Sequence, residues 1–256
     1  MSGVYGSVSA ELLKLRRTLA LRLAIGAPFA VVLLNFTVYT QGRDQTTAGQ
    51  NPLVGFAQIN LTMWTILVLP LYAALAAALV AAVEHQGDHW KHLFALPVSR
   101  RWIFVAKWIA AAGLLLVSSL VLPAAVCVAA QLLRAMKPNW RSASTPVALV
   151  TIRSLQCFCA AGLLLSLQLW VSLRWRSFIA GPALGIVGVL ILLGGVAHAG
   201  LGTIFVYLYP WALPPDAMAR MIEPHPDRVL VAAWGVIGGA AVAALACWDR
   251  SRCEFT

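Results

Sequence analysis

The sequence predicts an all-α, polytopic membrane protein with six transmembrane helices, and three observations carry this prediction. The chain of 256 residues is 61% hydrophobic and only 11% charged, whereas soluble domains carry about 25% charged residues. Its mean hydropathy is +0.81. Six unbroken apolar runs are close to or longer than the roughly 20 residues that a helix needs to cross a bilayer core, and they lack the alternation typical of membrane β-strands. We therefore expect one membrane domain over residues 1–256.

The apolar runs give the order of the predicted spans. The six spans are Leu19–Tyr39, Leu61–Val83, Ile103–Leu133, Val147–Val171, Phe178–Ala199 and Val229–Trp248. The third run is longer than a crossing requires, so we expect it to tilt or to project beyond the membrane. Gly181 and Gly185 in the fifth run form a small-x-x-x-small pair, which favours close helix packing or dimerisation.

The basic residues predict the orientation of these spans. If both termini lie in the cytoplasm, 12 of the 19 lysines and arginines fall at the cytoplasmic ends of the spans and seven fall on the opposite side. This bias follows the positive-inside rule. The net charge of +10 comes from cations that are scattered near the span ends. Because they form no basic stripe, we expect no nucleic-acid partner.

Residues 1–18 predict a short interfacial helix before the first span. Their apolar side chains share one helical face and their charged side chains lie elsewhere. The apolar positions are Val8, Leu12 and Leu15, continued by Leu19, and the charged positions are Glu11, Lys14 and Arg17. A basic amphipathic helix of this kind lies along the inner leaflet. The alternative is that the first span extends into water.

The segment 84–102 lies between the second and third apolar runs and carries a short charged stretch. Apolar residues recur at helical spacing between Gly87, which ends the preceding helix, and Pro97, whose ring ends the next one. These features predict a short amphipathic helix at the cytoplasmic surface. It either docks into a groove of a partner protein or only anchors the two spans that it joins.

Three histidines in this segment raise the question of a metal site. His85, His89 and His92 have spacings of four and three, so they could share a helical face and bind a transition metal together with Glu84 or Asp88. Short cytoplasmic loops also hold solvated histidines. We therefore predict no metal site, and leave metal binding by this cluster open.

The proline-rich segment 200–228 separates the fifth and sixth runs. Leu201–Tyr209 is apolar but too short to cross the bilayer, and Asp216–Ile222 is compatible with a helix that has a carboxylate at its start. These residues predict a re-entrant piece followed by a short external helix. The segment would form a lid at the outer mouth of the spans or pack as a structural cap.

The spans contain no constellation of residues that would support catalysis. The chain has no His-Glu-x-x-His, Gly-x-Ser-x-Gly or phosphate-loop motif, so we expect that it is not an enzyme by itself and that any energy comes from another polypeptide. Gln156 and Gln168 are polar positions of the fourth run and predict either interhelical hydrogen bonds or residues that line a pathway. Arg153 lies near the outer end of that run and could extend outward to water.

Several stretches carry a resemblance to a known family. They are Glu11-Leu12-Leu13-Lys14-Leu15-Arg16-Arg17, the helix Trp64–Leu79, Glu84, Trp90-Lys91-His92-Leu93, Leu96-Pro97-Val98-Ser99-Arg100-Arg101 and Lys107. With these residues and its overall organisation, the chain resembles the permeases of type-2 ABC exporters, most closely the lantibiotic-immunity-type group.

The resemblance implies one permease domain that works with another permease chain, in a homodimer or heterodimer, and with an ABC ATPase subunit. No cofactor is expected in this chain, and ATP and Mg would bind to the ATPase subunit. The helix around Asp88–Leu96 would be the family's coupling helix, seated on the ATPase, and the second and fifth spans would line the central route. The residues expected to couple the chain to the ATPase are Glu84, Asp88, Trp90, Lys91, Leu93, Phe94, Arg100 and Arg101. Gln156 and Gln168 are the candidates for pathway lining.

The resemblance also implies a function and a location. The chain would move a hydrophobic or amphipathic compound, such as an antimicrobial peptide, an antibiotic or a drug, out of the cytoplasm or the membrane. It would lie in the inner membrane of a bacterium with both termini in the cytoplasm. The alternatives are a membrane scaffold that recruits a cytoplasmic partner without transporting anything, and an intramembrane enzyme.

Overall fold

A computed structural model describes residues 18–42, 51–85, 100–175, 177–197, 203–218 and 227–252. All regular secondary structure in these ranges is helical, and no strand occurs in them. The prediction of an all-α membrane protein is confirmed. The interfacial helix predicted within residues 1–18 lies, apart from Thr18, outside the described residues.

The helices follow one another along the chain with short connections. They are α1 (Leu19–Thr40), α2 (Pro52–Met63), a π-helical turn (Trp64–Val68), α3 (Leu69–His85), α4 (Arg100–Met136), a 3-10 turn (Pro138–Trp140), α5 (Val147–Ala160), α6 (Gly162–Arg174), α7 (Ala180–Ala197), α8 (Thr203–Leu208), α9 (Leu213–Met218) and α10 (Asp227–Arg252).

Among the described residues, four helices are long and apolar enough to cross a membrane. They are Leu19–Thr40, Pro52–Ala82, Phe104–Met136 and Val229–Asp249. A fifth crossing results if the bent pair α5 and α6 counts as one span, and α7 contributes a shorter apolar helix over Ala180–Gly195. The chain is therefore a polytopic membrane protein, while the count of six spans stays a prediction.

The helix of the second span begins at Pro52, well before the predicted start at Leu61. Asn51 is the N-cap: its side-chain oxygen accepts a hydrogen bond from the Leu53 backbone N–H at 3.0 Å. Proline is favoured directly after such a cap, because its missing N–H would have had no helical partner. The Asn51 side-chain nitrogen also donates to the Ser144 carbonyl oxygen at 2.9 Å, which ties the start of α2 to the loop before α5.

The predicted fourth span is two helices that meet at Ala161 with a bend of 42°. Helix α10 crosses the bundle at this bend. A Cβ placed on Gly235 would lie 2.5 Å from the Cα of Ala160, and one on Gly239 would lie 2.7 Å from the carbonyl oxygen of Gly162. Glycine allows this approach because it has no side chain to hold the backbones apart. The glycines of the last span therefore place α10 directly against the junction of α5 and α6.

Helix α7 also uses its glycines for packing within the chain. Gly181 faces Ser172 of α6, and Gly185 faces the side chains of Ala74 on α3 and Gln168 on α6. The opposite side of α7 is apolar and exposed, as expected for a helix that faces lipid. Its exposed residues are Ile186, Val187, Leu190, Ile191 and Leu193. The close packing that was predicted from the Gly181–Gly185 pair occurs inside one chain.

Candidate functional site

The predicted coupling residues lie at the edge of the described structure. Asp88, Trp90, Lys91, Leu93 and Phe94 fall outside the described residues, as do His89 and His92. Glu84 and His85 belong to the last turn of α3, and Arg100 and Arg101 to the first turn of α4, where the structure describes the backbone alone. The structure thus fixes the two helix ends that the segment joins. In the described ranges, no group of three or more His, Cys, Asp or Glu could hold a metal ion.

Lys107 connects these two helices close to the segment. It lies seven residues into α4, about 10 Å along the helix at 1.5 Å per residue, and only 1% of it is exposed. Its Nζ donates to the carbonyl oxygen of Val80, near the end of α3, at 3.3 Å. A buried ammonium group is costly unless polar atoms surround it. This contact therefore fastens α3 to α4 near the points where the segment leaves them.

Similar side-chain hydrogen bonds continue from helix to helix through the same half of the bundle, and we call this set the polar belt. It joins α1 to α3, α3 to α4, α4 to α6, and α6 to α10. A displacement of the α3 and α4 ends would therefore be transmitted to most of the bundle. The bonds run from Tyr72 Oη to Ala20 O (3.2 Å), Lys107 Nζ to Val80 O (3.3 Å), Trp108 Nε1 to Ser166 Oγ (2.8 Å) and Trp170 Nε1 to Asp249 Oδ2 (3.3 Å).

An ion pair lies at the solvent-facing end of this belt. Arg174 Nη1 at the end of α6 is 3.7 Å from Asp249 Oδ2, and the two side chains are 47% and 29% exposed. Exposed pairs of this kind contribute about 0–1 kcal/mol. The hydrogen bond from Trp170 to the same carboxylate is partly buried, so it contributes more to the position of α10.

Gln168, a candidate for pathway lining, is fully buried between α6 and α7. In the amide orientation that satisfies both neighbours, it donates to the Gly181 carbonyl oxygen at 3.0 Å and accepts from the Gly185 N–H at 3.3 Å. Both partners are backbone groups of α7. The geometry is therefore that of an interhelical hydrogen bond, which was one of the two predicted roles, and a role in lining a pathway stays a prediction.

Gln156, the other candidate, pairs with a charge on its own helix. Its side-chain oxygen accepts from Nη1 of Arg153 at 2.8 Å. Both side chains are partly buried, and the Arg153 Nε atom is buried without an acceptor in the described part of the chain. The guanidinium group of Arg153 is thus only partly in a position to reach water, which limits the predicted outward extension.

The segment between α7 and α10 reaches deep into the bundle. Helix α9 packs against α5, α10 and the π-helical turn. The Cys157 thiol contacts the Pro214 carbonyl oxygen at 3.5 Å, and Cys157 lies ten residues into α5, about 15 Å along that helix. Helix α9 begins at Leu213 and not at the predicted Asp216, because Pro214 is well tolerated in the first turn of a helix.

An aromatic cluster anchors this segment to α7. The Tyr209 hydroxyl donates to the Gly188 carbonyl oxygen at 2.5 Å. The rings of Tyr209 and Trp211 are stacked, with their centroids 5.3 Å apart, and the Trp211 ring lies directly on Gly188. A side chain at position 188 would occupy the space of this ring. The sequence offered a signal for the cluster in the aromatic residues beside Pro210, but not its partner on α7.

Comparisons with known proteins complete this description. A family model described as "ABC-2 family transporter protein" matches residues 7–192. The match extends from the N-terminal segment through α1 to α6 and most of α7. A comparison with curated proteins gave no match.

Proposed function

The chain belongs to the ABC-2 family of transporter proteins, since the family model matches well over half of it, and we propose that it is the permease subunit of an ATP-driven exporter. Membership and the apolar helices make it a multi-pass transmembrane permease of an ABC transporter. It is not itself the catalytic component, and the family implies that it works with an ABC ATPase subunit. The cargo, the direction of transport and the residues that couple the two subunits are the proposed part.

We propose that the ATPase docks on the segment between α3 and α4. The single observation that carries this proposal is the Lys107–Val80 contact, which fastens together the two helices that the segment joins. Because the polar belt continues from these helices to α6 and α10, a force on the segment would move several helices together. Trp90, Leu93 and Phe94 would provide the apolar docking surface. Glu84, Asp88, Lys91, Arg100 and Arg101 would provide its charged surroundings, and ATP and Mg would bind to the ATPase.

The proposed cargo is a hydrophobic or amphipathic compound, such as an antimicrobial peptide, an antibiotic or a drug. The buried polar side chains of the described ranges are amides, hydroxyls and Lys107, and they include no carboxylate. Ionisable residues at membrane depth are the usual mark of ion and proton pathways. Their scarcity here favours a cargo that is largely apolar. A role in lantibiotic immunity belongs to this proposal.

The proposed assembly contains two permease chains in a bacterial inner membrane, with the termini of each chain in the cytoplasm. The distribution of basic residues supports this orientation. In the described structure, the outer surfaces of α1, α7 and α10 expose large apolar side chains, as expected for surfaces that contact lipid or another membrane-embedded chain.

The decisive experiment replaces Leu93 and Phe94 with aspartate in the intact complex. We expect normal insertion, with ATP hydrolysis that no longer drives export, because two carboxylates would prevent an apolar docking contact. Hydrolysis and export would be measured in the same proteoliposomes. A matched variant, Leu93→Ile with Phe94→Leu, keeps the surface apolar and should retain both activities.

Two results would contradict this proposal. Normal export by the aspartate variant would show that the segment transmits nothing. Purification of the tagged chain from native membranes with a cytoplasmic partner other than an ATPase would instead favour the scaffold alternative.

A further inference from the structure

Two buried tryptophans carry indole N–H donors that have no acceptor in the described part of the chain. Trp64 is 0% exposed and Trp211 is 4% exposed, and the Nε1 atom of each is buried and unbonded. Buried polar groups are satisfied in the large majority of cases, so each exception requires an explanation. Two exceptions of one chemical kind, in one region of the bundle, call for a common explanation.

The other tryptophans with described indole contacts show that the missing acceptors are not general in this chain. Trp108 donates to Ser166 and Trp170 to Asp249. Trp234, which is 45% exposed, donates to the Tyr207 carbonyl oxygen at 2.9 Å. The described tryptophans therefore include exposed and half-buried side chains with acceptors, whereas Trp64 and Trp211 are more deeply buried and lack them.

The two unbonded indoles lie on elements that meet at α7. Trp64 opens the π-helical turn, which contacts both α7 and α9. Trp211 precedes α9 and lies against Gly188 of α7. A π-helical turn inside an α-helix often marks a functional site, because the wider turn disturbs the regular backbone hydrogen bonding. The location thus combines an irregular transmembrane helix, a segment that enters the bundle, and two unused donors.

The Trp211 donor is held in position by its neighbours. The ring is stacked on Tyr209, whose hydroxyl is bonded to Gly188. Gly188 has no side chain, so the ring rests on the backbone of α7. A fixed donor without an acceptor is prepared for a ligand, because the protein has already met the cost of ordering it.

We propose that Trp64 and Trp211 are the hydrogen-bond donors of a cargo site, and that its ligands are apolar molecules with exposed carbonyl or ether oxygens. An indole N–H can only donate, so the complementary ligand must accept. Ketones, esters and N-alkylated amides meet this requirement. Such a ligand would enter when the segment 203–218 moves away from the π-helical turn. This inference rests on the proposed role of the chain as a permease.

The direct test observes the indole N–H groups of the full chain in lipid nanodiscs. The protein is labelled with nitrogen-15 in tryptophan, and the two signals are assigned with the variants Trp64→Phe and Trp211→Phe. Two probes of nearly the same shape are then added: anthraquinone, which has two carbonyl oxygens, and anthracene, which has none. We expect both indole protons to shift from unbonded to hydrogen-bonded positions with anthraquinone alone, while the Trp108 signal stays in place.

Three results would overturn the proposal. The two indoles could already be hydrogen-bonded before any probe is added, which would mean that water or lipid satisfies them. Anthracene could shift the signals as anthraquinone does, or anthraquinone could leave them unchanged. Each result would show that the donors do not select ligands with acceptors.

An affinity measurement provides a second test. Replacing either tryptophan with benzothienylalanine keeps the size of the ring system but removes the N–H group. We expect anthraquinone to bind about fivefold more weakly for each donor removed, and anthracene to bind as before. The same replacement at Trp108 is the control and should change neither affinity. Equal affinities in all variants would refute the site.

The tests of the site and of the permease function are independent, because the binding experiments need neither an ATPase nor transport. Binding of anthraquinone without any export by the complex would leave the site intact and contradict the proposed function. Export that is unaffected in a chain without the two donors would contradict the site alone.

Discussion

Replacing Gly235 with alanine should destabilise the bundle, because this glycine lies where α10 meets the junction of α5 and α6. The added Cβ would lie 2.5 Å from both the Cα and the carbonyl oxygen of Ala160, and 2.6 Å from the carbonyl oxygen of Cys159. Ordinary contact begins at 3.4 Å, so these backbones must separate by about 0.9 Å, the difference between 3.4 and 2.5 Å. Backbone atoms inside two helices cannot yield separately, so the helices themselves must move.

Gly238 provides a matched control on the same helix. Its added Cβ would lie 3.3 Å from a terminal methyl carbon of Leu163, which belongs to a flexible side chain. Both variants gain the same helix propensity, up to about 1 kcal/mol in a helix interior, and this gain cancels in the difference between them. Overpacking costs about 1–3 kcal/mol. We therefore expect Gly235→Ala to be less stable than Gly238→Ala by about 1–3 kcal/mol, which is roughly a 5- to 150-fold change in the unfolding equilibrium.

The measurement is the free energy of unfolding by steric trapping in bicelles, with helix content followed by circular dichroism. Gly194→Ala is the reference, since nothing lies within 4 Å of its added Cβ. Equal stability of the variants at positions 235 and 238 would refute the reasoning. It would mean that α10 does not cross the α5–α6 junction at backbone contact.

Three further predictions address the hydrogen bonds and the orientation. Gln168→Leu should lower the free energy of unfolding by about 1–3 kcal/mol, because buried backbone groups of α7 lose a partner; a loss of transport without a loss of stability would favour the pathway role instead. Arg174→Gln should change stability by less than about 1 kcal/mol, because the pair with Asp249 is exposed; a larger effect would show that this pair holds α10 in place. If both termini are cytoplasmic, a cysteine at Ser144 in an otherwise cysteine-free chain should react with an impermeant maleimide on intact cells, and one at Ser177 only after permeabilisation. The reverse pattern would invert the proposed topology.

Hydropathy predicted the helical class and most span positions, because the cost of exposing backbone groups to lipid forces long apolar runs into helices. Helix starts within polar stretches were harder to predict. The Asn51-Pro52 pair was a capping signal in the sequence. The polar side chains between Pro52 and Leu61 concealed it, since they lower the hydropathy of a stretch that is nevertheless helical.

Contacts between distant parts of the chain could not be predicted from local pattern. Lys107 was expected near the cytoplasmic end of its span, and its burial against Val80 depends on how α3 and α4 pack. The bend at Ala161 depends on the crossing of α10, which is far away in the sequence. The unbonded indoles of Trp64 and Trp211 are defined by what surrounds them. Such features arise from packing, whereas propensity and periodicity describe single elements.

The π-helical turn at Trp64–Val68 has a consequence for how this chain tolerates insertions and deletions. A turn of this kind accommodates an additional residue within an otherwise regular helix, and each residue of an α-helix advances the side-chain direction by about 100°. Removing one residue there would rotate the whole stretch Leu69–His85 about its axis relative to α2. The length of this turn therefore sets the direction in which the far end of α3 presents its side chains, and single-residue deletions should be far less acceptable here than in the loops outside the bundle.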